Sequence, residues 1–242
     1  MKITAFNGAM RGKRSITHTM VREFLEGAAG AGAEVENVFL VGKRIKHCLG
    51  CLSCWLKTPG RCIQKDDMAA LIETYLASDV VVIASPVYVE NVTGLTKDFM
   101  DRLIPLTDPH FEPDANGESR HVRRHERYPG IVALSSAGYP EQSAFQVVSL
   151  FFRRVTRSMN AELLAEIYRG GAGPLGMPDP GPLLAPMIEQ YKELLRKAGA
   201  EIARKRCLAP ETEEALSRQW LPTDLYNRQV NALWDRLTGP AR

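Results

Sequence analysis

Four of the five cysteines fall within fifteen residues, Cys48-x2-Cys51-x2-Cys54-x7-Cys62, and the fifth, Cys207, stands alone. The count is odd, and Met1-Lys2-Ile3-Thr4 runs straight into a strand-like segment with no signal peptide ahead of it, which argues against a secreted disulfide scaffold. Clustered thiols in a reducing compartment bind metal or do redox chemistry. A compact C-x2-C-x2-C run lets one short loop wrap three corners of a [4Fe–4S] cubane, and a fourth thiolate follows the Pro59-Gly60 turn. Structural zinc more often uses two separated Cys-x-x-Cys pairs, so zinc ranks second and unmetallated or disulfide-forming thiols third. Trp55 and Leu56 are expected to shield the thiols from water. His47, next to Cys48, is given no role, and Asp66 and Asp67 read as a helix cap and a first-turn carboxylate.

A second cluster of chemistry lies near the start, in Asn7-Gly8-Ala9-Met10-Arg11-Gly12-Lys13-Arg14-Ser15-Ile16-Thr17. A helix N-terminus offers unpaired N–H donors and partial positive charge, Arg11 adds a charge-assisted donor, and Ser15 and Thr17 supply hydroxyls. These groups suit an oxyanion. The segment matches neither G-x-G-x-x-G nor the Walker pattern, so a monophosphate is expected rather than a dinucleotide or triphosphate. Two further loops, Ser85-Pro86-Val87-Tyr88-Val89-Glu90-Asn91 and Ser135-Ser136-Ala137-Gly138-Tyr139, each set small residues, open amides and an aromatic ring at a strand end. The bland alternative is a capped basic turn and two half-buried tyrosines. Taken together the three loops favour a planar ligand with a phosphate tail.

The elements that position these loops follow from apolar patterning. Ile3–Asn7, Val80–Ser85 and Ile131–Ser136 are apolar runs bounded by turn residues, as in strands buried on both faces, and Val35–Leu40 and Leu163–Tyr168 are weaker versions. Helical spacing appears at Met20, Phe24 and Leu25, over Met68–Leu76, at Leu95, Phe99 and Leu103, over Glu141–Arg157, and over Pro186–Arg206. Strand and helix thus alternate five times, which predicts an α/β doubly wound parallel sheet, with ligands bound beyond the carboxyl ends of its strands. Residues 1–207 are expected to form this domain and 208–242 a helical extension whose Trp220, Leu233 and Trp234 seek burial. Two stretches break the repeat and read as long loops: the cysteine loop, 42–66, and an insertion, 107–127.

The 242 residues carry 31 Lys and Arg against 28 Asp and Glu, 45% hydrophobic and 24% charged residues. That is an ordinary globular composition, and the longest apolar run, Val80–Ala84, is far too short for a membrane helix. A cytoplasmic protein with no membrane partner is expected. Arg120, Arg123, Arg124 and Arg127 read as a solvated loop, and a nucleic-acid role ranks last.

The residues Asn7-Gly8, Arg11, Ser15-Ile16-Thr17 and Ser85-Pro86-Val87-Tyr88 resemble the FMN-binding loops of the NADPH-dependent FMN reductase family. Cys48-x-Gly50-Cys51-x-x-Cys54 with Cys62 and Asp66-Asp67-Met68 resembles that family's iron–sulfur flavoprotein branch, and the likeness covers about residues 1–170. The resemblance implies a flavodoxin-like three-layer fold with strand order 2-1-3-4-5. It also implies FMN held by Asn7, Gly8, Ala9, Arg11, Ser15, Ile16, Thr17, Pro86, Val87, Tyr88, Val89, Asn91, Ser135, Ser136, Ala137, Gly138 and Tyr139, and a homodimer or homotetramer. Where relatives commonly have Gly-Ser-Pro-Arg this chain has Gly8-Ala9-Met10-Arg11, and Ile16 replaces a frequent Asn, so the phosphate falls to Arg11, Ser15, Thr17 and backbone amides.

With a cluster on Cys48, Cys51, Cys54 and Cys62, the expected activity is electron exchange between [4Fe–4S] and FMN. Ferredoxin or NAD(P)H would be the reductant and a small molecule the acceptor. Without the cluster, the expectation is an NAD(P)H-dependent reductase of quinones, nitro compounds or free flavin. A third reading is a non-enzymatic thiol or flavin redox sensor.

Overall fold

Val80–Ala84 is apolar at every position and fully buried at every position, because it lies in the middle of a sheet covered on both faces. It belongs to β3 (Val80–Pro86) of a computed structural model that describes residues 1–239. β1 (Lys2–Asn7) leads into α1 (Ile16–Gly30), and β2 (Glu34–Phe39) leads through the cysteine loop, with its single-turn α2 (Ser53–Leu56), into α3 (Met68–Leu76). After β3 come α4 (Gly94–Asp101), the strands β4 (Thr107–Pro113) and β5 (Ser119–Arg123), β6 (Gly130–Ser136), α5 (Gln146–Ser158) and β7 (Leu163–Arg169). α6 (Gly181–Lys205), α7 (Pro210–Ser217) and α8 (Thr223–Thr238) end the described chain.

The main sheet runs β2-β1-β3-β6-β7, parallel throughout, which is the expected order 2-1-3-4-5 when its five strands are counted alone. Successive strand residues point to opposite faces. Ile3, Ala5, Val82 and Leu134 therefore join Phe24 of α1 and Leu195 of α6 in one core, while Phe6, Ile83 and Ala133 join Tyr75 of α3, Phe99 of α4 and Phe152 of α5 in the other. From β1 the chain passes first to β2 on one side and later to β3 on the other, so the carboxyl ends of β1 and β3 form the switch point at which sheets of this kind bind ligands.

Two expectations change. Residues 107–127 are not an irregular loop: Thr107–Pro113 and Ser119–Arg123 pair as an antiparallel hairpin. Its Pro and His residues mask the alternation from which a strand is read, but Asp114 Oδ1 accepts the Asn116 and Glu118 amides and so builds the turn. Two arginines of this region form ion pairs, Arg120 with Glu112 of the same hairpin at 2.9 Å and Arg127 with Asp79 ahead of β3 at 2.7 Å. In the extension Trp220 does pack, edge-on to Tyr191. Leu233 is half-buried, whereas Trp234 stays 56% exposed, because α8 buries none of its side chains fully.

α1 and α6 cross at glycines. A Cβ on Gly27 would collide with the Arg196 backbone, and one on Gly199 with that of Phe24. Gly199→Ala is expected to force the helices apart and cost about 1–3 kcal/mol, read as a lower urea midpoint. An unchanged midpoint would show that the crossing relaxes freely.

Candidate functional site

β1 ends at Asn7, which is fully buried; its Oδ1 accepts the Ala9 amide at 3.1 Å and its Nδ2 has no protein partner. Gly8 donates its amide to Ala84 at 2.8 Å and accepts from Thr93 Oγ1 at 2.9 Å, and a side chain there would strike Thr96. Ala9 is buried and Arg11 exposed. Ser15 caps α1, its Oγ accepting from the His18 amide at 3.0 Å. The amides of Ile16 and Thr17, in the first turn of that helix, have no intrahelical acceptor. Ile16 itself is half-buried against Gly176.

The second and third loops meet the first. Thr17 Oγ1 and Ser136 Oγ lie 2.9 Å apart, Val87 donates its amide to Ser136 O at 2.8 Å, and Ser135 Oγ donates to Ser85 O at 2.7 Å. Pro86 is half-buried. Tyr88 and Asn91 exchange two backbone hydrogen bonds, at 2.7 and 3.1 Å, around Val89 and Glu90, which have φ of 45° and 65°. Positive φ at both central positions is a type I′ turn, built here from a β-branched and a long residue where Asn-Gly is preferred. Val89 is 98% exposed at its tip. Ala137 is buried and donates to Arg169 O at 3.0 Å, while Gly138 and Tyr139 are exposed. The three loops predicted from sequence therefore meet at one place beyond adjacent strand ends. Its buried, unpartnered Asn7 donor, open helix-end amides and exposed tyrosines fit a flat ligand with an anionic tail.

The cysteine loop is closed at its base. Asp67 Oδ2 accepts the Arg44 amide at 2.7 Å, Asp66 Oδ2 accepts the Lys46 amide at 3.0 Å, and Gln64 Nε2 donates to His47 O at 2.9 Å. Asp66 is thus more than a cap, and Asp67, at the start of α3, makes no side-chain cap bond. Arg102 meets Asp66 through two bonds, Nη1 to Oδ2 at 2.6 Å and Nη2 to Oδ1 at 3.0 Å, with both side chains almost fully buried. Burial opposes ionisation of Asp66, but donation from Arg102 and from the Lys46 and Met68 amides outweighs it and holds the carboxyl below its usual range.

All four clustered thiols line one cavity of about 350 Å³, together with Trp55, Ile63, Arg102 and Ile104. Cys54 is buried, Cys62 half-buried, and Cys48 and Cys51 exposed. Burial, reinforced by negative charge at Cys62, Cys48 and Cys51, pushes the Cys54 thiol up, whereas hydrogen bonds from Ser53 pull Cys51 down. Among the described residues no three His, Cys, Asp or Glu side chains stand close enough to hold one metal ion. Four thiols around one cavity supply the four-thiolate donor set that a [4Fe–4S] cluster requires. Trp55 braces the loop, its Nε1 donating to Thr107 O at 2.9 Å, but Leu56 is 75% exposed because α2 ends in solvent, and it shields nothing.

The sequence profile described as NADPH-dependent FMN reductase matches residues 1–121, half of the chain. The chain belongs to the NADPH-dependent FMN reductase family. Within it, the chain is 36% identical over 145 residues to an iron–sulfur flavoprotein of Archaeoglobus fulgidus, covering 60% of this chain and 59% of that one. It is 40% identical over 102 residues to an iron–sulfur flavoprotein of Methanocaldococcus jannaschii, covering 42% of this chain and 50% of that one. The matched stretches thus span only half to three-fifths of those relatives' length. Among solved structures the fold is similar to an FMN-dependent NADH-azoreductase from Bacillus anthracis in complex with FMN, with a TM-score of 0.61, 14% identity, and 84% and 99% of the two chains covered. It is also similar to an NAD(P)H:quinone oxidoreductase from Methanothermobacter marburgensis, with a TM-score of 0.59, 16% identity, and 84% and 96% covered. At such identities the likeness is one of fold.

Four residues outside the sequence-predicted set shape the site of this FMN reductase family member. Thr93 and Thr96 brace Gly8, and a threonine just ahead of Gly94-Leu95 was a readable helix cap. Arg102 follows Leu95 and Phe99 at helical spacing, a lone cation on an apolar stripe, and that was its signal. Tyr226 Oη donates to Gly138 O at 2.7 Å from α8, and nothing local in the sequence announces it.

Two outcomes test this geometry. Glu90→Gly relieves left-handed strain and is expected to raise stability by about 1 kcal/mol, measured by urea unfolding; no gain would mean the turn is unstrained. Because Asp66 titrates low in the fold, its stabilisation is present above the unfolded carboxylate pKa and is lost as pH falls from about 4 downward. Wild-type urea midpoints should drop in that window, while Asp66→Asn starts lower at neutral pH and falls less; parallel curves would remove the pair from the acid response.

Proposed function

We propose that this chain is an FMN-dependent oxidoreductase of the iron–sulfur flavoprotein type, with FMN in the strand-end crevice and a [4Fe–4S] cluster on Cys48, Cys51, Cys54 and Cys62. The observation that carries the reading is one short helix. α4 braces the crevice at its first turn, where Thr93 and Thr96 hold Gly8, and it is followed directly by Arg102, which holds the base of the cysteine loop. Eight residues of helix span about 12 Å. The two candidate sites are therefore rigidly joined rather than independent.

When bound, FMN supplies hydride and single-electron chemistry and a [4Fe–4S] cluster supplies single-electron chemistry. In this reading Arg11, Ser15 and the amides of Ile16 and Thr17 hold the phosphate, with Thr17 fixed by Ser136. The Pro86–Asn91 and Ser136–Tyr139 segments flank the flavin ring, and Tyr88 and Tyr139 are exposed for contact with it or with an incoming reactant. No side chain is required as a catalytic acid or base. The reductant is NAD(P)H or ferredoxin, the acceptor a small molecule, and the assembly a homodimer or homotetramer.

The test is anaerobic purification followed by iron, acid-labile sulfide and FMN analysis of the same sample. About four irons and one FMN per chain are expected, and serine at Cys54 or Cys62 should abolish the iron while leaving FMN bound. FMN without iron or sulfide in protein never exposed to air would leave an NAD(P)H-dependent quinone or nitro reductase. Loss of NAD(P)H turnover together with reversible thiol oxidation would leave a sensor.

A further inference from the structure

Arg102 is 1% exposed and comes from helix-stripe spacing that ordinarily carries an apolar residue. Its Nη1 serves both Asp66 and the Lys46 carbonyl, its Nη2 serves Asp66, and its Nε is buried with no acceptor in the protein. Arg102 lines the cavity of the four thiols and its guanidinium reaches Cys62, whereas Asp66 is not part of the cavity wall. The cationic partner of the pair is therefore the one that meets the sulfurs. A guanidinium is protonated in proteins, and the bidentate bonds to the Asp66 carboxylate fix this one in place. The other cations of the loop, Lys43, Arg44, Lys46, Lys57, Arg61 and Lys65, are all exposed to water, where charge is screened.

Resting on the proposed cluster site, we infer that Arg102 is a positioning residue that sets the redox potential at the four thiols, and that Asp66 tempers it. The physical ground is charge: a group held by four thiolates is anionic and becomes more so by one unit when it takes up one electron. A buried cation at the cavity wall stabilises the more negative state, since net charge is among the terms that set such potentials. Arg102 thereby does for the thiol cavity what the α1 N-terminus does for the phosphate: it offers positive charge from a fixed, water-excluded place. An Arg102 that served only to close the loop would act on thiol placement and leave the potential of an assembled group unchanged.

The experiment is a dithionite redox titration, followed by visible and electron paramagnetic resonance spectra, of anaerobically reconstituted wild type, Arg102→Lys, Arg102→Gln, Asp66→Asn and the Arg102→Gln/Asp66→Asn double variant, with iron counted in each. Arg102→Gln is expected to disfavour the reduced state about tenfold, which is 59 mV downward for one electron. Arg102→Lys should stay near wild type, and Asp66→Asn should move the potential upward. Removing one partner of a buried pair leaves the other charge uncompensated and threatens folding, so the double variant, neutral at both positions, decides where Arg102→Gln fails to fold; it too should titrate below wild type. Full iron content with equal potentials in wild type and the double variant would overturn the inference and leave the cluster reading standing. A wild type that takes up no iron and sulfide would overturn both.

Discussion

Two guanidinium nitrogens of Arg102 meet the two carboxylate oxygens of Asp66 at 2.6 and 3.0 Å, and neither side chain reaches water. Around that pair everything peculiar to this chain is arranged. Asp66 closes the base of the cysteine loop by accepting the Lys46 amide, and Arg102 fastens the same base to the end of α4 through the Lys46 carbonyl. A loop of more than twenty residues carries a large closure entropy and, without such a clamp, would hold no fixed place for its thiols. A buried ion pair is a weak source of net stability, since desolvation consumes much of the attraction. Its value here lies in geometry: a bidentate fork fixes distance and plane together, which a lysine or an apolar contact does not.

The same helix carries a second constraint at its other end. Thr93 caps α4 and also reaches Gly8, so the turn after β1 is fixed to the turn after β3 by side-chain bonds as well as by the sheet. Ser85 repeats the device, its hydroxyl accepting from the Thr93 amide and its carbonyl accepting from Ser135. Buried hydroxyls around three adjacent strand ends therefore bond the backbone of neighbouring loops, which satisfies their polarity and ties the loops together. The extension adds an outer brace. Arg169, at the end of β7, stacks over Trp220 at 3.8 Å and Tyr191 at 4.8 Å, and burial lowers its pKa to about 10. The chain is thereby turned back so that Tyr226 meets the Gly138 carbonyl.

Much of this was legible in the chain itself. Continuous apolar runs give strands buried on both faces, helical spacing gives the covering layers, and alternation gives a parallel sheet, so the fold class followed from local pattern, while the strand order followed from the family resemblance. The candidate loops followed as well, because the carboxyl ends of parallel strands are where amides and helix N-termini converge. The hairpin over 107–123 was not legible, since its Pro109, His110 and His121 hide strand alternation and its turn is held from a distance, by Asp114 and Arg157 of α5 at 2.7 Å. The burial expected for Trp234 was not met either, because an apolar side chain on an amphipathic helix is buried only if a partner face exists among its neighbours.

Composition, periodicity and cysteine spacing by themselves determined that this is a doubly wound α/β chain with an oxyanion-competent turn and four thiols on one loop. These are properties of residues near one another in sequence, and short-range physics suffices to read them. Only the tertiary structure decided that Thr17 meets Ser136, that Gly8 leans on Thr93 and Thr96, and that Arg102 grips Asp66 beside the thiols. Those contacts join residues 119, 85 and 36 positions apart. Their partners are chosen by which strand ends and helix ends the sheet order brings together, and no window along the chain contains that information.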